Sequence, residues 1–113
     1  MKGRFSDDYG IPYIINDTLF TLGSAARYHI IEWNEAEQYL VVRNDVNNPS
    51  EKGLFSRIDY MHFTDMEPYT WGFCLTIFNA LDTSAAKNAV PADRKNPKKG
   101  CNNFPFSRMK RTK

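Results

Sequence analysis

The stretch from Tyr69 to Phe78, Y-T-W-G-F-C-L-T-I-F, is the most apolar run of this 113-residue sequence. Extended to Asn79, it alternates between large and mostly small side chains with a period of two, which is typical of a β-strand. The large side chains that would share one face are Tyr69, Trp71, Phe73, Leu75 and Ile77. A strand with one bulky face and one narrow face fits the centre of a sheet. We therefore predict a long central strand over residues 69–79.

The part of the chain before this run shows the same period of two in four further segments. The predicted strands cover residues 13–20, 27–33, 38–43 and 54–63, which are rich in β-branched and aromatic types. Turn signals separate them, and the strongest is N-D-V-N-N-P-S-E-K-G at residues 44–53. Consecutive strands joined by short turns favour an all-β, mainly antiparallel meander. We predict five to six strands within residues 1–80, forming a curled sheet or a small barrel.

The pattern changes after the central strand. Asp82 can cap a short helix at residues 81–90, which would end before Pro91. Residues 91–113 are rich in turn-forming types and predict an irregular C-terminal tail.

The chain length fits a single domain with a buried core, and a hydrophobic content of 42% excludes the disordered class.

The formal net charge of +2 conceals a strong asymmetry. Residues 1–86 carry 6 Lys/Arg and 12 Asp/Glu, whereas residues 87–113 carry 9 Lys/Arg and the single acid Asp93. We favour a tail that folds back on the acidic body or is a solvated terminus. The alternative is docking on an anionic surface. Nucleic acid is the least favoured partner, because the tail aromatics Phe104 and Phe106 bracket Pro105 instead of alternating with the cations.

The two cysteines leave two alternatives open. A bridge between Cys74 and Cys101 would tie the tail to the central strand, with about 3.5 kcal/mol expected from closing a loop of about 27 residues. It would also imply an oxidising compartment, whereas in the cytoplasm the two would be unrelated thiols.

No apolar run has the length of a membrane-spanning helix. No secretory leader follows Met1, so an exported protein with this sequence is expected to have lost its leader.

The sequence offers no coherent catalytic or metal-binding constellation. His29 and His62 stand without a Cys or carboxylate at metal-ligand spacing, so we predict no metal and no cofactor. Cys74 as a nucleophile is disfavoured, because burial would raise the pKa of its thiol and restrict access. We therefore predict a protein that is not an enzyme.

The aromatic content is the better functional signal. If the sheet curls, some rings could line a concave face that accepts an apolar or planar ligand. The predicted ligand-binding residues are Trp33, Tyr60, Tyr69 and Trp71, with Arg57 as polar anchor. The competing interpretations are that the rings fill the core or cover a dimer interface, and that Arg57 forms a buried ion pair with Asp59.

Two functions follow from these observations. The first is a non-enzymatic domain that binds a small apolar or aromatic ligand or a protein partner, which includes a second copy of itself. The alternative is a structural or interaction subunit that docks its basic tail on an anionic protein, membrane or nucleic acid. The tail cations that would carry the second function are Lys98, Lys99, Arg108, Lys110 and Arg111.

Several pieces of the chain also match a known pattern. They are residues 28–33, R-N-D at 43–45, F-S-R-I-D-Y at 55–60, the strand of Cys74, and G-C-N-N-F-P-F-S at 100–107. Together they resemble small, mostly uncharacterised exported bacterial proteins with paired cysteines. The resemblance implies a bridge between Cys74 and Cys101 and a periplasmic or extracellular location, and it supplies no activity. The absence of a leader departs from the pattern, and a likeness to the lipocalin architecture is an analogy of fold only.

Overall fold

The computed structural model describes residues 2–112, which form a closed antiparallel β-barrel with one short helix. Each strand pairs with the next along the chain, and the last pairs with the first. The helix α1 (Thr83–Lys87) follows the seventh strand. The strands are β1 (Gly3–Asp7), β2 (Pro12–Ile15), β3 (Leu19–Leu22), β4 (Ala26–Asn34), β5 (Tyr39–Asn44), β6 (Phe55–His62), β7 (Trp71–Ala80) and β8 (Ser107–Arg111).

The predicted all-β antiparallel class is confirmed, but the predicted count of five to six strands is wrong, because the barrel has eight. One reason is that the segment predicted as a single strand over residues 13–20 is a hairpin of β2 and β3. The side chain of Asn16 accepts hydrogen bonds from the backbone N–H groups of Thr18 and Leu19, both at 2.9 Å. This side-chain-stabilised turn interrupts an alternation that otherwise continues.

The other two unpredicted strands lie at the chain ends, where the residues are mostly polar or charged. Only alternate side chains of these two strands point inward. Phe5 of β1 and Met109 of β8 are therefore buried in the core. The two strands pair with each other, with Phe5 opposite Arg111 and Asp7 opposite Met109. The predicted irregular tail therefore ends in a strand, which closes the barrel.

The barrel interior is filled by side chains. Aromatic rings from several strands meet edge to face, with ring centroids 5.1 Å apart for Phe5 and Trp71 and 5.2 Å apart for Phe20 and Phe73. Eight strands give an interior just wide enough for side chains to fill. The buried members of this core are Phe5, Tyr13, Ile15, Phe20, Leu40, Val42, Ile58, Tyr60, Trp71, Phe73 and Met109.

A second layer covers part of the outer wall. We call residues 81–106 the covering segment; it contains α1 and the irregular chain that leads to β8. Asp82 caps α1 as predicted, since its side chain accepts from the backbone N–H of Ala85 at 2.7 Å. Ala86 of α1 packs against Tyr39 and Val41 of β5. The β6–β7 pairing is irregular around Arg57, and Ile77 packs in this outer cluster instead of following Trp71 into the barrel.

A buried carboxylate fastens the covering segment to the barrel. Asp59 of β6 is 0% exposed and lies on the outer wall. It accepts from Arg57 of its own strand at 3.0–3.3 Å and from the hydroxyl of Thr76 on the neighbouring strand β7. It also accepts from the covering segment, from the N–H of Ala92 and from the guanidinium of Arg94, each at 3.1 Å. The carboxylate therefore joins β6, β7 and the covering segment at one point.

The two arginines extend this cluster. Arg57 lies over the Tyr39 ring at 4.1 Å and donates to the carbonyl oxygen of Lys87 at the end of α1 at 2.6 Å. Arg94 donates to the carbonyl oxygen of Tyr60 at 2.9 Å and to that of Gln38 in the β4–β5 turn. Both guanidinium groups therefore bridge the barrel and the covering segment.

A disulfide fastens the same segment beside the carboxylate. Cys74 of β7 is the register partner of Asp59, and it is bridged to Cys101 of the covering segment with a Cα–Cα distance of 5.6 Å. A disulfide is compatible with an exported protein.

We expect loss of the disulfide to destabilise the fold. Replacing both Cys74 and Cys101 with serine reopens a loop of sequence separation 27, and the free energy of unfolding should fall by up to about 3.5 kcal/mol. Urea denaturation followed by circular dichroism measures this loss. Intact mass after alkylation in denaturant should show no label before reduction and two labels after it. Labelling of both thiols without reductant would contradict the bridge.

We expect Asp59→Asn to be strongly destabilising, by about 3–5 kcal/mol, because it leaves the buried Arg57 guanidinium without its counter-ion. Urea denaturation with the disulfide intact provides the measurement. Asp8→Asn is the matched control, since it breaks an ion pair with Arg108 that is largely exposed. Such exposed pairs contribute little to stability. Equal effects of the two substitutions would show that the Asp59 cluster has no special role.

Candidate functional site

The predicted ligand-binding residues lie in different parts of the structure. Trp71 is 2% exposed and packs inside the barrel. Arg57 lies on the outer wall beneath the covering segment, where Asp59 and Tyr39 occupy its guanidinium. Trp33 and Tyr60 meet at one end of the barrel, whereas Tyr69 lies under the guanidinium of Arg108 on the outside. The structure thus brings together one pair of the five residues.

A cavity of about 360 Å³ opens on the outside of the barrel, and we call it the outer groove. Three separate parts of the chain form it: the β1–β2 turn, the β6–β7 loop, and the end of the covering segment with the start of β8. Its apolar lining residues are Tyr9, Phe63, Met66, Pro97, Pro105 and Phe106, and its polar ones are Asp8, Lys98, Ser107 and Arg108.

The floor of the outer groove depends on a close approach between a ring and the sheet. A Cβ atom added at Gly72 of β7 would lie 2.7 Å from the Phe63 ring and 2.9 Å from the carbonyl oxygen of Ser107. Only glycine leaves room for Phe63 to lie against the strand at this point. Phe106 is buried beside it, and its N–H donates to the carbonyl oxygen of Pro97 at 2.8 Å. The apolar wall is therefore held by backbone as well as by side-chain packing.

The rim of the outer groove carries charge. Arg108 donates to Asp8 at 2.8 Å, and this hydrogen bond raises the pKa of the Arg108 guanidinium. The same guanidinium lies over the Tyr69 ring, 4.9 Å from its centroid, within the range of a cation–π interaction. Lys98 has no ion-pair partner within residues 2–112. The rim thus holds one compensated and one uncompensated positive charge.

A second cavity, of about 430 Å³, lies at the end of the barrel where β4 and β6 end. We call it the mouth pocket; its lining residues are Lys2, Trp33, Glu35, Gln38, Tyr60 and His62. The indole N–H of Trp33 donates to the hydroxyl of Tyr60 at 3.1 Å. Burial raises the pKa of Tyr60, and the hydrogen bond from Trp33 opposes that shift.

Other parts of the described chain show no further reactive cluster. Within residues 2–112, no three His, Cys, Asp or Glu side chains stand close enough to hold a metal ion together. The two histidines are separate: His29 contacts Asp45 at 2.7 Å, and His62 lines the mouth pocket. None of the helical structure in this part of the chain has the length and apolar character to cross a membrane.

Comparison of the chain with protein-family models, with curated proteins and with solved structures finds no match.

Most residues of the outer groove were not identified from the sequence. Tyr9 and Met66 lie in loops, where a single aromatic or methionine gives no periodic signal. Phe63 is the last residue of the strand predicted over residues 54–63, but it follows β6 and lies in the β6–β7 loop. Of the two aromatics that bracket Pro105, Phe106 is buried, whereas Phe104 is 70% exposed. The prediction that the tail folds back on the body does not say where it lies, so it could not place these residues beside the β1–β2 turn and the β6–β7 loop.

Proposed function

We propose that this protein is a non-enzymatic binding domain whose outer groove takes a small apolar, planar molecule that carries one negative charge. The observation that carries the proposal is the combination of an apolar cavity with an uncompensated cation at its rim. A volume of about 360 Å³ is in the range of small-molecule sites. Such sites combine a mostly apolar lining with a few placed polar groups.

The filled barrel interior supports a site on the outside. Trp71 and Phe73 occupy the space in which a barrel of this kind would otherwise hold a ligand. In the outer groove, by contrast, Tyr9 is 87% exposed and leaves an aromatic face free. A planar ligand could stack on this ring and contact Met66 and Pro105.

The charge at the rim supports an anionic ligand. Asp8 is held by Arg108, so the remaining charge at the rim is that of Lys98. An anionic group placed near Lys98 would gain a favourable interaction, while the rest of the ligand is removed from water. We also propose that the protein acts outside the cytoplasm, since its disulfide would persist there.

A test uses two fluorescent probes that differ only in charge. These are 8-anilino-1-naphthalenesulfonate and the uncharged N-phenyl-1-naphthylamine. We expect the sulfonate to bind the folded protein saturably, with one site and enhanced emission. Met66→Glu places a charge in the apolar wall and should weaken both probes at least about tenfold. The matched control is Val46→Glu, an exposed apolar residue of the β5–β6 loop, which should leave the affinity unchanged.

The contribution of the rim charge is tested in the same way. Lys98→Gln should weaken the sulfonate about threefold to fivefold and leave the uncharged probe unchanged. Lys95→Gln removes an exposed lysine of the same covering segment that does not line the groove, and should change neither. Sulfonate binding that survives Met66→Glu at wild-type strength would contradict the proposed function.

A second candidate, docking of the basic tail on an anionic surface, rests on the exposed lysines of the covering segment. Lys95, Lys98 and Lys99 have no ion-pair partner within residues 2–112, whereas Arg94 and Arg108 are occupied by Asp59 and Asp8. A delocalised interaction of this kind predicts that Lys95→Gln and Lys98→Gln weaken binding equally, with a steep dependence on salt. The outer groove predicts a difference between them.

A further inference from the structure

A cation already occupies an aromatic face at the mouth pocket. The ammonium group of Lys2 lies 5.1 Å from the centroid of the Trp33 ring, within the range of a cation–π interaction. The same ammonium forms an ion pair with Asp17 in the β2–β3 turn. Glu35 lines the pocket beside it. One aromatic face and one carboxylate therefore contact the Lys2 ammonium, and a second carboxylate lines the same pocket.

The aromatic face is held in place from beneath. The indole N–H of Trp33 donates to the hydroxyl of Tyr60, whose side chain is buried in the barrel core. The Tyr60 ring in turn packs edge to face against His62, with centroids 6.1 Å apart. Because Trp33 also packs against the barrel core, its indole ring is held by contacts that do not involve Lys2. Such pre-organisation lowers the cost of binding.

The Lys2 side chain contacts Asp17 and Trp33 through its ammonium group. The Lys2 side chain is half exposed, and the Asp17 side chain is 78% exposed. Exposed ion pairs are weak, because water competes for both partners. The mouth pocket has a volume of about 430 Å³, far more than one ammonium group fills. The Lys2 ammonium can therefore be displaced, and the space around it can hold the rest of a ligand.

We propose that the mouth pocket is a binding site for a primary alkylammonium group and that Lys2 is its internal, displaceable occupant. A primary ammonium has three donors, which suit the carboxylates of Asp17 and Glu35, and its charge suits the Trp33 face. The ligand would be a small amine or the lysine side chain of a partner. The mouth pocket shares no lining residue with the outer groove, so the two proposals fail or succeed separately.

The test follows the indole N–H signal of Trp33 in two-dimensional NMR, identified by its absence in Trp33→Phe. n-Butylammonium chloride is titrated into the wild-type protein and into Lys2→Ala, with sodium chloride at equal ionic strength as the reference. We expect a saturable shift with about fivefold tighter binding in Lys2→Ala, because the internal competitor is gone. Lys110→Ala, which removes a lysine of β8 outside the pocket, should bind as the wild type does.

Three outcomes would overturn the proposal. One is the absence of a saturable shift in Lys2→Ala, and another is equal affinity in Lys2→Ala and the wild type. The third is tetramethylammonium binding as tightly as n-butylammonium, since a quaternary ammonium cannot donate to Asp17 or Glu35. A peptide with one central lysine, compared with free n-butylammonium, separates the two sources: tighter binding of the peptide indicates a protein partner, and weaker binding indicates a small amine.

Discussion

The buried carboxylate of Asp59 is the interaction on which everything outside the barrel depends. A carboxylate without solvent is costly unless hydrogen bonds and opposite charges compensate it. Here the donors come from β6, from β7 and from the covering segment, so the carboxylate is satisfied only when all three are in place. The disulfide at Cys74 acts on the same region of the wall. Together they hold the covering segment, whose far end builds one side of the outer groove.

The packed barrel limits the positions at which a ligand can bind. Its interior is a packed core, so binding must take place on the outer wall or at an end. The structure offers a cavity at each of these positions: the outer groove and the mouth pocket. They differ in chemistry, because the first is apolar with a cationic rim and the second joins an aromatic face with carboxylates. The acidic body and basic tail seen in the sequence therefore meet at specific ion pairs, such as Arg94 with Asp59 and Arg108 with Asp8.

Local patterns predicted the parts of the fold that local physics controls. The alternation in residues 69–79 predicted β7, and Asp82 predicted the start of α1. The strands β1 and β8 could not be predicted in this way, because each contributes a single large side chain to the core cluster and depends on pairing with both of its neighbouring strands. The turn at Asn16 was missed because its stabilisation comes from a side chain and not from glycine or proline.

The candidate site was predicted in part for the same reason. Trp33 and Tyr60 were both selected, and they do form one contact, although 27 residues separate them. Trp71 was selected for its aromatic character, but its position on the bulky face of the central strand places it in the core. Arg57 lies on the opposite side of the wall from Tyr60, since the two are three residues apart on one strand. Closure of the barrel determines which aromatic rings remain accessible, and closure cannot be predicted from local sequence patterns.

Amide hydrogen exchange at Ala92 tests most directly whether the Asp59 carboxylate fastens the covering segment to the barrel. Its N–H donates to the Asp59 carboxylate and lies in an irregular part of the covering segment. If this carboxylate fastens the segment, the Ala92 amide should exchange at least about 100-fold more slowly than an unstructured amide. Exchange at the unstructured rate in the folded, disulfide-bonded protein would contradict the account, because the Asp59 carboxylate would then not fasten the covering segment at Ala92.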